Sequence, residues 1–242
     1  MKNTLLIFFC IMSIVSCKNN TSTTKKDEIA ITKSSPIEQK SKIDTVKENK
    51  LPSLTELTDT SFVRLRDYSK NFVYDLRYAT KNNFLKTKVY DCAECYVRVK
   101  TAKALLKANA AFMKHGLRIK FFDCYRPHDV QYKMWKIVPN SQYVANPDKG
   151  SVHNRGGAVD ITLVDSEGKE LDMGTGFDYF GKKAYHDCYD LPQQVLANRK
   201  LLKETMNNYG FDSIRTEWWH YNLRAAYHDK VANFKWPCSN KQ

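Results

Sequence analysis

Between residues 72 and 223, apolar and polar residues recur with spacings that predict helices and strands. The clearest helix is expected over 101–115 and ends at Gly116; its apolar face comprises Ala102, Leu105, Leu106, Phe112 and Met113. A shorter helix is expected over 129–137. Another starts at Asp190-Leu191-Pro192, with Asp190 as cap and Pro192 in the first turn, and runs to about Tyr209. Strands are expected over 72–78, 117–125, 158–164 and 215–223.

These elements follow one another without a regular βαβ alternation. The pattern therefore predicts an α+β fold: a single small domain with a central antiparallel sheet packed by helices. In the strand 158–164, the alternation places Ala158, Asp160 and Thr162 on one face. Val159, Ile161 and Leu163 lie on the other.

The first seventeen residues, MKNTLLIFFCIMSIVSC, have the pattern of an export signal. Lys2 provides a positive start, and the apolar run 5–12 is too short to span a bilayer. The ending Ile14-Val15-Ser16-Cys17 resembles a bacterial lipoprotein cleavage box, in which Cys17 becomes the lipidated first residue. A plain signal peptide cut nearby is the alternative. We expect an exported bacterial lipoprotein, anchored to a membrane through Cys17 on the periplasmic or cell-surface side.

Residues 18–50 hold 8 Lys and 5 Asp or Glu, with no Gly and no aromatic residue. Such a segment buries too little apolar surface to offset its chain entropy, so a disordered tether is predicted. The folded domain is then 51–242. It contains five cysteines, which allow at most two disulfides: Cys92, Cys95, Cys124, Cys188 and Cys238. The Cys92–Cys95 spacing also suits half a zinc site or a redox pair, but structural disulfides or buried thiols are favoured.

The net charge of +13, from 39 Lys and Arg against 26 Asp and Glu, first suggests a nucleic-acid partner. Lysine outnumbers arginine and is spread along the chain, whereas base reading depends on arginine. We therefore expect no nucleic-acid partner, and the sequence indicates no protein partner.

Three clusters of residues carry candidate chemistry. In SVHNRGGAVD, His153 and Asp160 stand seven residues apart, and the glycines between them allow the sharp turn that would bring the two together. An acid among apolar neighbours needs a partner, although by spacing alone a structural Asp160 is as plausible as a metal ligand.

In EWWHY, Glu217 and His220 lie in an aromatic strand, where a glutamate would have a raised pKa suited to acid–base catalysis. Residues three apart on a flat strand face opposite sides, so a shared site requires the strand to end, twist or bulge there. A buried histidine with an edge glutamate is the alternative. In DCYRP, Arg126 follows a strand; alone it would be a structural ion-pair residue.

Combined, the clusters predict a metal site. His153, Asp160 and His220 form a three-ligand set typical of catalytic zinc with one open position. Glu217 could deprotonate a water molecule, and Arg126 could stabilise the oxyanion of amide hydrolysis. No H-E-x-x-H motif is present, so the common helical zinc-protease plan is excluded.

The chain resembles the zinc D,D-peptidases. SVHNRGGAVD matches their S-x-H-x-x-G-x-A-x-D motif, EWWHY matches E-x-x-H, and YRP matches the upstream arginine motif. LRYATKNNF and MGTGFD look like segments of the D-alanyl-D-alanine dipeptidase branch, and Trp218 replaces the proline usual in related carboxypeptidases.

The resemblance implies one Zn²⁺ bound by His153, Asp160 and His220, with Glu217 as acid and base and Arg126 at the transition state. It further implies that the substrate is contacted by three other residues: Ser151, Tyr78 and Asp178. The expected reaction is hydrolysis of D-Ala-D-Ala to two D-alanines in cell-wall turnover or salvage. A D,D-carboxypeptidase or endopeptidase acting on peptidoglycan stem peptides is the alternative, and a non-catalytic binding lipoprotein is the third.

Overall fold

The described part of the chain in the computed structural model, residues 51–238, contains seven strands and three α-helices. The strands are β1 (Phe62–Arg64), β2 (Val73–Tyr74), β3 (Tyr96–Arg98), β4 (Arg118–Asp123), β5 (Ala158–Val164), β6 (Phe211–Ile214) and β7 (Glu217–Leu223). The helices are α1 (Val99–Met113), α2 (His128–Ile137) and α3 (Gln193–Asn208). The predicted signal peptide, tether and lipidation site at Cys17 lie outside the described residues.

A five-stranded sheet forms the centre of the fold, with strand order β2-β4-β5-β7-β6. The β4, β5, β7 and β6 neighbours are antiparallel, whereas β2 runs parallel to β4. Strands β1 and β3 form a separate antiparallel pair. The α+β class is thus confirmed, with one parallel pair at the edge of an otherwise antiparallel sheet.

Helix α1 packs its apolar face into the core, as its spacing predicts. Ala102, Leu105 and Phe112 are fully buried. Leu106 is half-buried and Met113 is 43% exposed, because these two residues, seven apart, lie at the border of the buried face. Ala108 completes the buried face one turn after Leu105, in keeping with the helical period of 3.6 residues.

The strand β5 has the bounds predicted from the sequence, and all of its residues are buried. Both faces of this strand are therefore covered: Val159, Ile161 and Leu163 belong to the hydrophobic core, and Asp160 projects from the opposite face. The predicted strand 72–78 is shorter: β2 covers Val73–Tyr74, and a 3-10 turn at Arg77–Ala79 buries Tyr78.

The predicted cap of the third helix at Asp190 is wrong. Pro192 occupies the position before the first helical residue, with an extended ψ of 142°, and no side chain caps the helix. The chain is still extended at Pro192, so Asp190 lies too far from the first turn to accept its N–H groups. The helix ends one residue before Tyr209, and Gly210 follows with a φ of +93°.

Two disulfides cross the domain, Cys92–Cys238 and Cys95–Cys124. Cys188 forms none with the other described cysteines. The disulfides take the sulfurs of Cys92 and Cys95 to separate partners, which leaves neither free to pair with the other in a redox or zinc motif. No helix within residues 51–238 combines the length and apolarity needed to cross a bilayer.

Candidate functional site

Three polar side chains stand side by side on the three central strands. Asp160 of β5 is paired with Asp123 of β4 and with His220 of β7 in the sheet register. Residues directly opposite one another on neighbouring strands project from the same face of a sheet. The strand pairing therefore places two aspartates and a histidine next to one another on the same face of the sheet.

The strand register is irregular on both sides of the row formed by Asp123, Asp160 and His220, and these irregularities change the direction of neighbouring side chains. On β4, the register shifts between Phe121 and Asp123. Between β6 and β7, it shifts so that Ile214 pairs with Glu217. The irregularity that a shared site requires in β7 is thus present, and Glu217 and His220 line the same cleft.

His153 reaches this row from a loop. It begins a 3-10 turn, His153–Arg155, and Gly156 follows with a left-handed φ of 71°. At Gly157 a Cβ atom would lie 2.2 Å from the Cβ of Ala226, so the close approach of the two backbones requires glycine there. The two glycines therefore allow the loop histidine to fold back onto strand β5.

Three potential metal-binding atoms converge in the centre of the site. His220 Nδ1 lies 2.9 Å from Asp160 Oδ1 and 3.2 Å from His153 Nε2. His153 Nε2 lies 3.4 Å from the same Asp160 oxygen. The three residues form a compact group of two nitrogens and one oxygen that could hold a metal ion.

In both histidines, the ring nitrogen that points away from Asp160 is hydrogen-bonded to an acceptor. His153 Nδ1 lies 2.7 Å from the backbone carbonyl oxygen of Cys124, and His220 Nε2 lies 2.9 Å from Asn222 Oδ1. Carbonyl oxygens only accept, so each of these ring nitrogens donates its N–H. The other ring nitrogens face Asp160. Without metal, a proton lies between His220 Nδ1 and Asp160, and a metal cation would replace that proton and take lone pairs from all three residues. This donor set fits zinc with an open fourth position.

The acid–base properties of the group agree with this arrangement. Burial opposes the charge on Asp160, yet His153 and His220 hold the pKa of its carboxyl group below the ordinary value of 3.8. Burial likewise disfavours a charged His220, but its hydrogen bond to Asp160 raises the pKa of the imidazole. Asp160 is therefore ionised and ready to hold a cation.

Arg126 lies at the edge of the cleft in a buried polar network. Its Nη2 and Nε donate to Asp123 Oδ2 at 2.7 and 3.2 Å, and its Nη1 donates to Gln131 Oε1 at 2.9 Å. The guanidinium also lies 5.3 Å from the ring centre of Tyr78. A guanidinium has five N–H groups, so two remain for a ligand in the cleft.

Glu217 occupies the start of β7 and faces the cleft that His153 and His220 also line. Burial raises the pKa of its carboxyl group above the ordinary value of 4.5, although His220 acts in the opposite direction. A glutamate with a raised pKa next to a metal site is suited to accept a proton and return it.

The three residues expected to contact substrate line the same cleft as the metal-binding group. The Tyr78 hydroxyl donates to Asp178 Oδ1 at 3.0 Å. Ser151 Oγ accepts from the backbone N–H of His153 at 3.2 Å. Burial, and then the charge of Asp160, raise the pKa of Asp178 to about 8.

The cleft has a volume of about 380 Å³, which suits a small ligand. It contains all eight residues singled out from the sequence within 51–238: Tyr78, Arg126, Ser151, His153, Asp160, Asp178, Glu217 and His220. Aromatic rings form part of its wall; Tyr143 and Phe180 lie 4.4 Å apart between ring centres.

Two residues that hold the site in place were not identified from the sequence. Asp123 accepts hydrogen bonds from Arg126, the Tyr90 hydroxyl and the backbone N–H of Cys124. Asn222 fixes the ring of His220. Asn222 follows His220 by two residues on one strand, so the strand period could have indicated it. Asp123 gave no such signal: Cys124 and Arg126 are close to it in sequence, but the Tyr90 hydroxyl comes from a distant segment that the local pattern does not indicate.

The sequence of this chain matches a known protein family. The profile of the Peptidase M15 family, described as D-ala-D-ala dipeptidase, matches residues 58–237. The D-alanyl-D-alanine dipeptidase of Escherichia coli K12 is 36% identical over 71% of this chain and 86% of the relative. That of Enterococcus faecium is 31% identical over 62% of this chain and 85% of the relative. Among solved structures, a vancomycin-resistance D,D-pentapeptidase, VanY, is 16% identical, with a TM-score of 0.36, over 53% of this chain and 73% of its own.

Proposed function

Because the chain belongs to the Peptidase M15 family of D-alanyl-D-alanine dipeptidases, we propose that it is a zinc-dependent peptidase that hydrolyses D-Ala-D-Ala to two D-alanines. The observation that supports this most strongly is the convergence of three lone-pair atoms, from His153, Asp160 and His220. Those residues would hold one Zn²⁺. When bound, zinc supplies a Lewis acid that polarises the substrate carbonyl group and acidifies water.

Glu217 is the acid–base residue of the proposed reaction. Its carboxylate accepts a proton from the attacking water molecule and then donates that proton to the leaving amine of the second D-alanine. The raised pKa favours both steps, since a base whose pKa approaches the working pH can release the proton it has taken.

Arg126 stabilises the negative charge that develops on the carbonyl oxygen as water attacks. Its hydrogen bonds to Asp123 and Gln131 fix the guanidinium before substrate arrives, so little reorganisation is needed during the reaction. The two N–H groups that these residues leave free are available to the oxyanion.

Asp178 binds the free ammonium of the dipeptide, and Tyr78 and Ser151 contact its backbone or carboxylate end. A carboxylate in a largely buried site gains most from a cationic ligand, because the ligand replaces the lost hydration. This pairing makes a free amino terminus the feature that distinguishes the dipeptide from a longer stem peptide.

The substrate assignment is tested with the zinc-loaded protein and three compounds: D-Ala-D-Ala, L-Ala-L-Ala and a pentapeptide stem ending in D-Ala-D-Ala. We expect rapid cleavage of D-Ala-D-Ala alone. Cleavage of the pentapeptide without the dipeptide would instead identify a D,D-carboxypeptidase. A protein that binds the dipeptide and cleaves none of the three would be a binding lipoprotein.

Ionisation of Asp178 is expected to shape the pH profile. Its pKa of about 8 in the free protein lies well above the ordinary 3.8, and zinc would lower it by offsetting the charge of Asp160. The carboxylate binds ammonium only when ionised, so kcat/KM should rise with pH on a limb that ends at or below about pH 8. In Asp178→Asn this limb should disappear and KM should rise. An unchanged pH profile in the variant would contradict the assignment.

Asn222→Ala is expected to weaken zinc binding by about 10- to 100-fold, because His220 loses the acceptor that fixes its ring and tautomer. Zinc affinity is measured by competition with a chromogenic chelator. The control is Asn82→Ala, which changes an exposed asparagine. Equal zinc affinities in the two variants would show that Asn222 does not support the metal site.

We propose, from the N-terminal sequence, that the enzyme is an exported lipoprotein attached through Cys17 and acts on dipeptides released from the cell wall. The apolar run 5–12 and the box ending at Cys17 support export and lipidation. Labelling with a fatty-acid analogue should mark the protein, and Cys17→Ala should release it from the membrane fraction. A wild-type protein without label would contradict lipidation, and a cell envelope free of D-Ala-D-Ala would contradict the salvage role.

A further inference from the structure

Arg199, a buried arginine of helix α3, is hydrogen-bonded to both ends of the segment 173–185. Arg199 Nε donates to the backbone carbonyl of Met173 at 2.7 Å. Its Nη2 and Nη1 donate to the carbonyls of Lys183 and Tyr185 at 2.8 and 3.1 Å. Only 5% of Arg199 is exposed. One rigid, planar group thus fixes the distance between both ends of the segment.

A neighbouring side chain of the same helix adds to this contact. Asn198 Nδ2 donates to the backbone carbonyl of Asp172 at 2.8 Å. Within the segment, Thr175 Oγ1 accepts from Trp218 Nε1 at 2.8 Å. Trp218 is the residue next to Glu217, so the segment is connected to α3 at its ends and to β7 near its beginning.

The middle of the segment forms part of the cleft. Asp178 and Phe180 line it, and the ring of Phe177 lies 5.5 Å from that of Trp219 and 5.9 Å from that of Tyr78. One continuous segment of chain therefore contains both the residues that contact Arg199 and residues that line the cleft.

Asp178 has a backbone conformation that needs external support. Its φ of +62° lies in the left-handed region, which residues with a Cβ atom seldom occupy. Such a conformation persists when the surrounding structure fixes it. The hydrogen bonds from Tyr78 and the backbone N–H of Phe84 hold the Asp178 carboxylate, while Arg199 fixes the backbone on either side.

We infer that Arg199 is a positioning residue for substrate binding, which holds the segment 173–185 so that Asp178 meets the ammonium group of the dipeptide. This inference rests on the proposed function, in which Asp178 binds that group. Lysine cannot replace Arg199, because a single ammonium lacks the planar fork that reaches three carbonyls at once. The zinc ligands and Glu217 come from other segments, so the effect should be on binding rather than on the chemical step.

The test is the kinetics of Arg199→Lys in the zinc-loaded full-length protein. We expect KM for D-Ala-D-Ala to rise on the order of 10- to 100-fold, with kcat within about threefold of wild type and zinc content unchanged. A general structural defect would instead lower the active fraction, and with it kcat, at constant KM.

A double-mutant cycle with Asp178→Asn shows whether Arg199 acts through Asp178. If it does, the double variant should have nearly the KM of Asp178→Asn alone, since the aspartate that Arg199 positions is already lost. The control is Arg224→Lys. Arg224 also donates to backbone carbonyls, those of Asn207 and Phe211, outside both the cleft and the segment 173–185. Its effect on KM should be additive with Asp178→Asn.

If the wild type is active but the effects of Arg199→Lys and Asp178→Asn on KM are additive, this inference is overturned and the proposed function remains intact. A zinc-loaded wild type that does not cleave D-Ala-D-Ala would overturn both. If Arg199→Lys does not fold, Asn198→Ala replaces it, because that change removes the contact to Asp172 beside the segment and otherwise only a hydrogen bond from Gln194 within α3. It should raise KM in the same non-additive manner, and an additive result would again contradict the inference.

Discussion

Replacing Glu217 by Gln is expected to lower kcat by about 10²- to 10⁴-fold while the protein still binds one zinc ion. Glutamine has the shape of the glutamate but cannot take a proton from water or donate one to the leaving amine. The metal-binding atoms belong to His153, Asp160 and His220, so the metal site should remain intact. Turnover of D-Ala-D-Ala and zinc content are measured on the same preparation.

The control for this variant is Glu204→Gln on α3, whose side chain is 63% exposed and forms only a surface ion pair with Lys200. It should retain the activity of the wild type. Loss of zinc from Glu217→Gln would mean that Glu217 is a metal ligand. Undiminished turnover would mean that another group carries the proton.

Replacing His220 by Ala is expected to remove both the metal and the activity. The variant loses one of three donor atoms, and Asp160 and His153 are left with a site too poor in ligands to hold zinc tightly. The change also removes the hydrogen bonds that His220 makes with Asp160 and Asn222. Zinc content after dialysis and turnover should fall together, in contrast to Glu217→Gln.

His228→Ala is the matched control, since His228 is an exposed histidine outside the cleft. It should keep zinc and activity at wild-type levels. A His220→Ala protein that retained a full equivalent of zinc would remove His220 from the ligand set and contradict the proposed site.

The chemistry of the site could be predicted from the sequence because it depends on local patterns. His153 and Asp160 are close in sequence, and the turn at Gly156 between them can be read directly from it. Strand β5 is long enough for its alternation to be clear, and its bounds agree with the prediction. Helix α1 is likewise long enough to show its period.

Features that depend on distant partners could not be predicted. The register shift that brings Glu217 toward His220 is a property of the pairing between β6 and β7, and β6 is too short to show a period. The disulfide partners are far apart in sequence. Asp123 acquires its full set of partners only when Tyr90, 33 residues away, folds against it. Similarly, nothing in the local sequence around Arg199 indicates that its contacts lie in the segment 173–185.

The central claim is that His153, Asp160 and His220 hold a zinc ion that the hydrolysis of D-Ala-D-Ala requires. The most direct measurement titrates chelator-stripped protein with Zn²⁺ while release of D-alanine is followed. We predict that the rate rises in proportion to added zinc and reaches a plateau at one equivalent per chain. Full hydrolysis by the metal-free protein, or none by protein with one bound zinc, would contradict the account.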